Sequence, residues 1–229
     1  AHKNFSKYFA QELSKLCNSK KKFSPSNNFY HELSAQDCSV QLSGELKNLA
    51  IVLMKISNDL RWMNSGPLAG MSEIELKALQ PGSSIMPGKV NPVIPEAVAM
   101  ASADVIGNDV SITVAAQSGS FQLNVMLPVI AYNLLKSINL IAGSMKALSK
   151  NAIKTFKVNE KNLESSLSKN PILVTALNPI IGYEKAAEIA KKAYKENRPI
   201  IEVAAQETDL SKAKLLKLLD PKKLAKGGI

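Results

Sequence analysis

Cysteine and histidine are both scarce in this 229-residue sequence, which contains two of each. Cys17 and Cys38 match no metal-binding spacing and make a poor disulfide framework, so we interpret both as free thiols in a reducing compartment. This predicts a cytoplasmic location, or the mitochondrial matrix in a eukaryote. His2 and His31 form neither an HxxxH nor an HExxH pattern, so we expect no zinc site and no other metal or cofactor.

Long uncharged apolar runs are missing as well. No stretch of about 18 apolar residues without charge marks a membrane helix, and no secretory signal precedes the first helical sequence. The chain opens with AHKNFSKYFA rather than Met, so we expect it to begin inside a longer polypeptide. No membrane partner is expected.

Acidic residues are fewer than basic ones, which gives a net charge of +10. An excess of lysine can indicate a nucleic-acid or an acidic-substrate partner. However, aromatic residues make up only 5% of the chain, and none alternates with lysine clusters such as 20–22 and 222–223. A single-strand binding surface needs such aromatics. We therefore interpret the clusters as solvated surface and expect no nucleic-acid partner.

Helical periodicity dominates the rest of the chain and predicts an all-α fold. From Gln41 apolar residues recur every three or four positions, which predicts a core helix that ends near Gly66. Apolar sequence then predicts helices from Pro92 or Pro95 to about Gln117 and from Phe121 to about Leu148. The second should be kinked by Pro128. The predicted stripe of the first helix consists of Leu42, Leu46, Leu49, Leu53, Ile56, Leu60 and Met63.

The later two helices are apolar on nearly every side, so other helices, including those of other subunits, should bury them. After residue 150 the elements become short, and Asn170 and Asn178, each followed by proline, are typical of helix N-caps. We therefore predict a long-helix bundle over residues 1–150 and a small helical domain over 151–229. The sequence contains no convincing strand pair.

One loop interrupts the apolar helices, PGSSIMPGKVNP at residues 81–92. Lys89 and Asn91 can both donate hydrogen bonds to a carboxylate, beside the N-terminus of the following helix. Ser83 can act as a base only if nearby positive charge and N–H groups stabilise its alkoxide. These features suit a small dianion, and Gly82 and Gly88 would give the loop hinge freedom. An ordinary surface loop with a solvated lysine remains the alternative.

The segment GSSIMPGKVNP resembles the signature loop of the fumarase/aspartase superfamily, G-S-S-x-M-P-x-K-x-N-P. Further segments are similar to class II fumarases, and Gly88 before the lysine is the fumarase form, since aspartases often have alanine there. The resemblance runs from about residue 28 to residue 229. The further segments are RWMNSGP, SEIEL, VIGND, FQLNV and NPILVTALNPIIGYEKAAEIAKKA.

This resemblance implies metal-free, reversible hydration of fumarate to L-malate by a homotetramer whose active sites each collect residues from three subunits. Ser83 would be the catalytic base, which removes a proton from the carbon beside a carboxylate. Glu96 would orient a catalytic histidine, and the implied substrate-binding residues are Ser84, Lys89, Val90 and Asn91.

The family's catalytic histidine lies in its N-terminal half, and neither His2 nor His31 has a matching context. His31 is expected on a helix surface. We therefore expect the chain to correspond to the C-terminal half of a fumarase and to be inactive by itself. Two alternatives stay open, namely an aspartate ammonia-lyase of the same superfamily and a non-catalytic helical assembly or nucleic-acid module.

Overall fold

The computed structural model describes residues 1–17, 20, 22–80, 82, 85–86 and 88–226. Within these ranges the chain is mostly helical, which confirms the all-α prediction. The long helices are α3 (Asp37–Met63), α4 (Val93–Ala116) and α5 (Leu127–Leu148). The short helices are α1 (Phe5–Leu16), α2 (Phe29–Ser34), α6 (Glu160–Ser168), α7 (Asn178–Ile181), α8 (Tyr183–Glu196), α9 (Ile200–Glu207), α10 (Lys212–Leu218) and α11 (Pro221–Leu224).

The chain divides into two compact units. The first combines Ala1–Asp59 with Leu79–Lys154, and the second combines Leu60–Ala78 with the chain from Thr155 onward. The division at residue 150 that the sequence suggested stays a prediction, since these units are defined by contacts within this chain alone.

The first unit is organised by the packing of α4 along α5. Buried residues of α4 recur at intervals of three and four, so that one line of side chains faces the neighbouring helix. Many of these residues are small, which lets the two backbones approach closely. The buried line of α4 includes Pro95, Val98, Ser102, Val105, Asp109 and Ile112, and that of α5 includes Ile130, Ser137, Ile141, Ser144 and Leu148.

A buried carboxylate joins α4 to α3. The side chain of Asp109 is only 7% exposed; Ser43 Oγ donates to its Oδ1 at 2.7 Å and Lys47 Nζ to its Oδ2 at 2.6 Å. Burial would raise the pKa of this carboxyl above its ordinary 3.8. The hydrogen bonds from Lys47 and Ser43, with the charge of Lys47, outweigh burial and lower the pKa instead.

The corner between α4 and α5 is held by Asn124, which is fully buried. Its Nδ2 donates to the carbonyl oxygens of Ala115 and Ala116 at 2.9 and 3.2 Å, and its Oδ1 accepts from the Met126 N–H. The sequence prediction that a helix starts at Phe121 and is kinked by Pro128 is therefore wrong. The helix starts at Leu127, and Pro128 occupies its first turn, where proline breaks no helical hydrogen bond.

The predicted apolar stripe of α3 is correct only in part. Leu53 and Leu60 are buried, but Leu42 is exposed and the other members are half-buried. The most buried line runs instead through Ser43, Ala50, Leu53, Ser57 and Leu60. Size explains the difference: small side chains seven residues apart allow close packing, whereas a pattern of large apolar residues indicates only which side is apolar.

By length and composition alone, α4 is apolar enough to cross a membrane. Its charged side chains argue for a core helix instead. Asp109 is paired as described above, and Asp104 accepts from Lys136 Nζ on α5 at 2.9 Å. Asn108 Nδ2 also donates to Ser137 Oγ on α5 at 3.2 Å. The contact of Asp109 is with α3 and those of Asp104 and Asn108 are with α5, as expected for a helix packed inside a helical bundle.

The second unit has its own apolar core, formed by the 3₁₀ segment Pro171–Leu177 and helices α8 to α10. A short antiparallel strand pair joins β1 (Ile74–Glu75) to β2 (Lys157–Val158), so the expectation of no strand pair is wrong. Strands of two residues leave no detectable alternation in the sequence. Asn170 caps the N-terminus of the 3₁₀ segment as predicted. Asn178 is not an N-cap: it is the first residue of α7 and the C-cap of the 3₁₀ segment.

We expect Asp109→Ala to reduce the free energy of unfolding of the chain by about 1–3 kcal/mol, because it leaves the buried Ser43 hydroxyl without its acceptor. A carboxyl with a lowered folded pKa stabilises above its ordinary pKa, and this contribution disappears as the pH falls through the folded value. The difference between wild type and variant should therefore shrink below about pH 3.8. Urea unfolding at pH 7 and at acidic pH measures both effects.

The matched control is Asp59→Ala, because Asp59 pairs with Lys55 one helical turn away on the exposed surface of α3. Such pairs contribute at most about 0.5 kcal/mol. Equal losses in the two variants would contradict the assignment of Asp109 as the link between α3 and α4.

Candidate active site

The signature loop leads directly into α4, which is the most strongly apolar of the long helices. Ser83 and Ser84, the predicted base and its neighbour, lie outside the described residues, so their assignment stays a prediction. The structure does describe Gly82, Ile85, Met86 and the chain from Gly88 to the start of α4.

The two ends of the loop touch each other. The Asn91 side chain donates from Nδ2 to the Gly82 carbonyl oxygen at 2.9 Å. A Cβ atom added to Gly82 would lie 1.8 Å from the Lys89 carbonyl oxygen and 2.9 Å from the Val90 nitrogen. No side chain fits there, so Gly82 permits a direct contact between the backbone entering the loop and the backbone leaving it.

A tight turn precedes Lys89. Gly88 has a φ of +78°, a conformation that favours glycine, and the Lys89 N–H donates to the Met86 carbonyl at 3.3 Å. The turn reverses the chain just before its return to Gly82. The two glycines thus serve different purposes: Gly88 supplies a backbone conformation and Gly82 supplies space, where the sequence suggested only hinge freedom for both.

Two sources of positive charge lie at the C-terminal end of the loop. Lys89 is exposed, and within the described part of the chain its ammonium group makes no ion pair. Four residues after Lys89, α4 begins at Val93 with the partial positive charge of a helix N-terminus. A lysine, a side-chain amide and a helix N-terminus therefore lie within a few residues of each other, which is an arrangement suited to a carboxylate.

Val90 and Asn91 differ in their surroundings. Val90 is about half exposed, whereas Asn91 is partly buried because its amide is bonded across the loop. The family resemblance implies that both residues bind substrate, and that role stays a prediction. The contact of Asn91 with Gly82 was missed, because an Asn nine residues after a Gly carries no local signal. The only available clue was the need for glycine itself at position 82.

Glu96 lies in the first turn of α4 and is half-buried. An acidic residue there is favourable toward the helix dipole. Among the described side chains none donates a hydrogen bond to its carboxylate. Glu96 is thus able to accept a hydrogen bond from a group supplied by another segment, which is the requirement for a residue that orients a histidine.

Neither histidine of the chain lies in such a position. His31 is on the short helix α2, about half exposed, with Nε2 3.5 Å from Asp37 and Nδ1 3.8 Å from Glu32. This confirms the prediction of a helix-surface residue. His2 precedes α1 and stacks against Tyr8. Within the described ranges, no three His, Cys, Asp or Glu side chains come together as metal ligands would.

Two family models match the chain. The model described as Lyase matches residues 1–107, and the model described as Fumarase C C-terminus matches residues 173–226. Together they account for more than half of the sequence. The first match ends within α4, and the second covers most of the helical second unit.

A curated relative and two solved structures are similar along nearly the whole chain. Fumarate hydratase class II 2 of Pseudomonas aeruginosa is 62% identical over 229 residues, which is 100% of this chain and 50% of that protein. The crystal structure of a fumarate lyase:delta crystallin from Brucella melitensis is 40% identical with a TM-score of 0.90, covering 98% of this chain and 48% of that one.

The second structure is the recombinant class II fumarase from Schistosoma mansoni, at 32% identity and a TM-score of 0.88, with 98% of this chain and 50% of that chain covered. The chain thus spans about half the length of the proteins that it matches. Sequence similarity, backbone similarity and the complete signature loop agree, and the chain belongs to the class II fumarase family of the fumarase/aspartase superfamily.

Proposed function

We propose that the full-length enzyme, meaning a polypeptide of its relatives' length that contains this sequence, hydrates fumarate reversibly to L-malate. The observation that carries the proposal is the signature loop, GSSIMPGKVNP, whose ends meet where Lys89, Asn91 and the start of α4 are close together. Relatives at this level of identity are named fumarate hydratases, which favours a four-carbon dicarboxylate as the substrate.

The chemistry follows from the residues of the loop. In the direction from malate, Ser83 removes a proton from the carbon next to a carboxylate, and that carboxylate becomes a dianionic aci-carboxylate. Lys89, Asn91 and the α4 N-terminus would lower the free energy of this dianion more than that of the substrate. A general acid then protonates the departing hydroxyl, water leaves, and fumarate remains.

The general acid or its relay must come from outside this chain in our proposal. Glu96 would hold an incoming histidine by accepting a hydrogen bond from one ring nitrogen, which fixes the orientation of the ring. Val90 and Ser84 would complete the contact with substrate. The mechanism as proposed uses no metal ion or organic cofactor, because Lys89, Asn91 and the α4 N-terminus would stabilise the dianion.

We further propose that the enzyme is a homotetramer. Helices α3 to α5 each bury one line of side chains, yet large apolar residues remain exposed on their other sides, including Val52, Met100, Val110, Tyr132, Leu135 and Met145. Apolar surface of this extent is typical of an interface. Helix-to-helix contact between identical copies would cover it.

In the full-length enzyme, Ser83→Ala and Lys89→Ala should each reduce kcat/KM for malate by about 10²–10³-fold, since each removes a group that acts on the developing dianion. The melting temperature should change little, because Lys89 is exposed and packs against no core. The measurement is the absorbance of fumarate at steady state. The same assay with aspartate separates the alternatives, because ammonia release from aspartate without malate turnover would assign the protein as an aspartate ammonia-lyase.

Full activity of Ser83→Ala would show that another group is the base. A collapse of the melting temperature in either variant would mean that the loop has a structural role. Asp59→Ala, which changes an exposed ion pair on α3, serves as the activity control.

A polypeptide limited to these 229 residues should not turn over malate or fumarate at a measurable rate. Its two histidines are on or beside the short helices α1 and α2, and neither is placed as a general acid by its contacts. The assay requires a sample whose intact mass excludes the longer enzyme. Turnover by the pure 229-residue chain would contradict our assignment of the general acid to another segment.

The full-length enzyme should sediment as a tetramer at micromolar concentration. Replacing two exposed apolar residues of α5, Tyr132 and Leu135, by Asp and Lys should shift it toward smaller species, because a buried charge without a partner is costly. Analytical ultracentrifugation measures the change. Substitution of the exposed Glu188 by Lys on α8 is the control, and an equal shift there would argue against an α5 interface.

A further inference from the structure

We infer that Asn91 is a positioning residue, which holds the two ends of the signature loop together through its hydrogen bond to the Gly82 carbonyl. We call the contact of Gly82 with Lys89, Val90 and Asn91 the neck of the loop. The inference rests on the proposed function only for its catalytic consequence. The neck itself is a property of the ligand-free chain.

The neck consists of two contacts at one place. One is the 2.9 Å hydrogen bond from Asn91 Nδ2 to the Gly82 carbonyl oxygen. The other is the backbone contact that the absence of a side chain at Gly82 allows, against the carbonyl of Lys89 and the nitrogen of Val90. Gly82 and Asn91 are nine residues apart in sequence, so these contacts join the start of the signature loop to its end.

The hydrogen bond also fixes the direction of the amide group. A side-chain amide has two N–H donors and one acceptor oxygen. One N–H is directed at Gly82, so the nitrogen end faces the neck and the second N–H stays available beside Lys89. Without the Gly82 carbonyl the amide could rotate and present its oxygen, which would repel a carboxylate.

The neck has a geometric consequence for the predicted catalytic groups. Gly82 immediately precedes Ser83 in the sequence, and Lys89 forms the other side of the neck. Closing the neck therefore brings the beginning and the end of the Ser83–Lys89 stretch together. Positioning of this kind reduces the entropy that the reacting groups would otherwise lose when substrate binds.

The first test measures hydrogen exchange of the peptide spanning residues 82–92 in the full-length enzyme without ligand. Asn91→Ala should accelerate exchange there by about three- to tenfold, which corresponds to the loss of one hydrogen bond. Lys89→Ala is the matched control and should leave the exchange unchanged, because the neck uses the backbone of Lys89 and not its side chain.

The second test uses Gly82→Ala, which removes no group that could touch a substrate. Its Cβ cannot fit against the Lys89 carbonyl, so the neck should open and kcat/KM should fall by about 100-fold, as expected when catalytic groups are misplaced by about 1 Å. Gly88→Ala is the control within the same loop. An added Cβ there meets no atom of the described residues within 4 Å, although the positive φ is unfavourable, so the loss should be clearly smaller.

The outcomes separate this inference from the proposed function. Faster exchange in Asn91→Ala would support the neck even if malate were not a substrate. Unchanged exchange in Asn91→Ala would overturn the inference even if malate turnover were lost, because Asn91 would then act only on the substrate. Equal losses for Gly82→Ala and Gly88→Ala would also contradict it. If Gly82→Ala fails to fold, the exchange comparison decides alone.

Discussion

The close packing of α4 against α5 is the contact on which the rest of the first unit depends. It buries one line of side chains on each helix, and the small residues in that line, such as Ser102, Ser137 and Ser144, keep the backbones close. A helix fixed along its whole length cannot shift at one end without disturbing the other. The start of α4 therefore has a defined position. Asn91, at the end of the signature loop, lies two residues before it.

The two ends of α4 are secured in different ways. At its C-terminal end, the buried Asn124 satisfies carbonyl groups that a helix terminus leaves unpaired. In its middle, Asp109 adds a charged link to α3. Near its N-terminal end, the Asn91 amide bonds the Gly82 carbonyl and is therefore directed into the loop rather than into the helix.

The periodicity of apolar residues, together with helix-breaking and capping residues, predicted the parts of the fold that depend on a single segment. The bounds of α4 and the Asn170 cap follow from residues close together in sequence. Features that depend on distant partners were missed or misplaced. The start of α5 depends on Asn124, whose amide bonds carbonyls at the end of α4. The burial of Ser43 on α3 depends on Asp109, 66 residues later, and the strand pair on residues more than 80 positions apart.

The same distinction holds for the site. Its residue types could be identified from eleven consecutive residues, because the signature is local. The neck could not, because glycine is required at position 82 by the backbone of Lys89 and Val90, seven and eight residues later, which leaves no room for a Cβ. The motif therefore predicts which groups meet a substrate, whereas the glycine at position 82 reflects a distance between two backbone segments that only a structure reveals.

The described part of the chain also contains groups that have no partner within it. Glu96 has a carboxylate without a donor among the described side chains, Lys89 has a charge without a counter-ion there, and α3 to α5 have apolar sides without cover. Exposed apolar faces of this extent are uncommon on a monomeric protein, and a half-buried carboxylate without a donor costs free energy unless a partner compensates. A cation that approaches Glu96, an anion that approaches Lys89 and helices that cover α5 would satisfy them at once. In the proposed tetramer, an active site at the junction of several copies would supply partners for Glu96, Lys89 and the apolar faces together. Burying the apolar faces would also place each signature loop beside segments of other subunits.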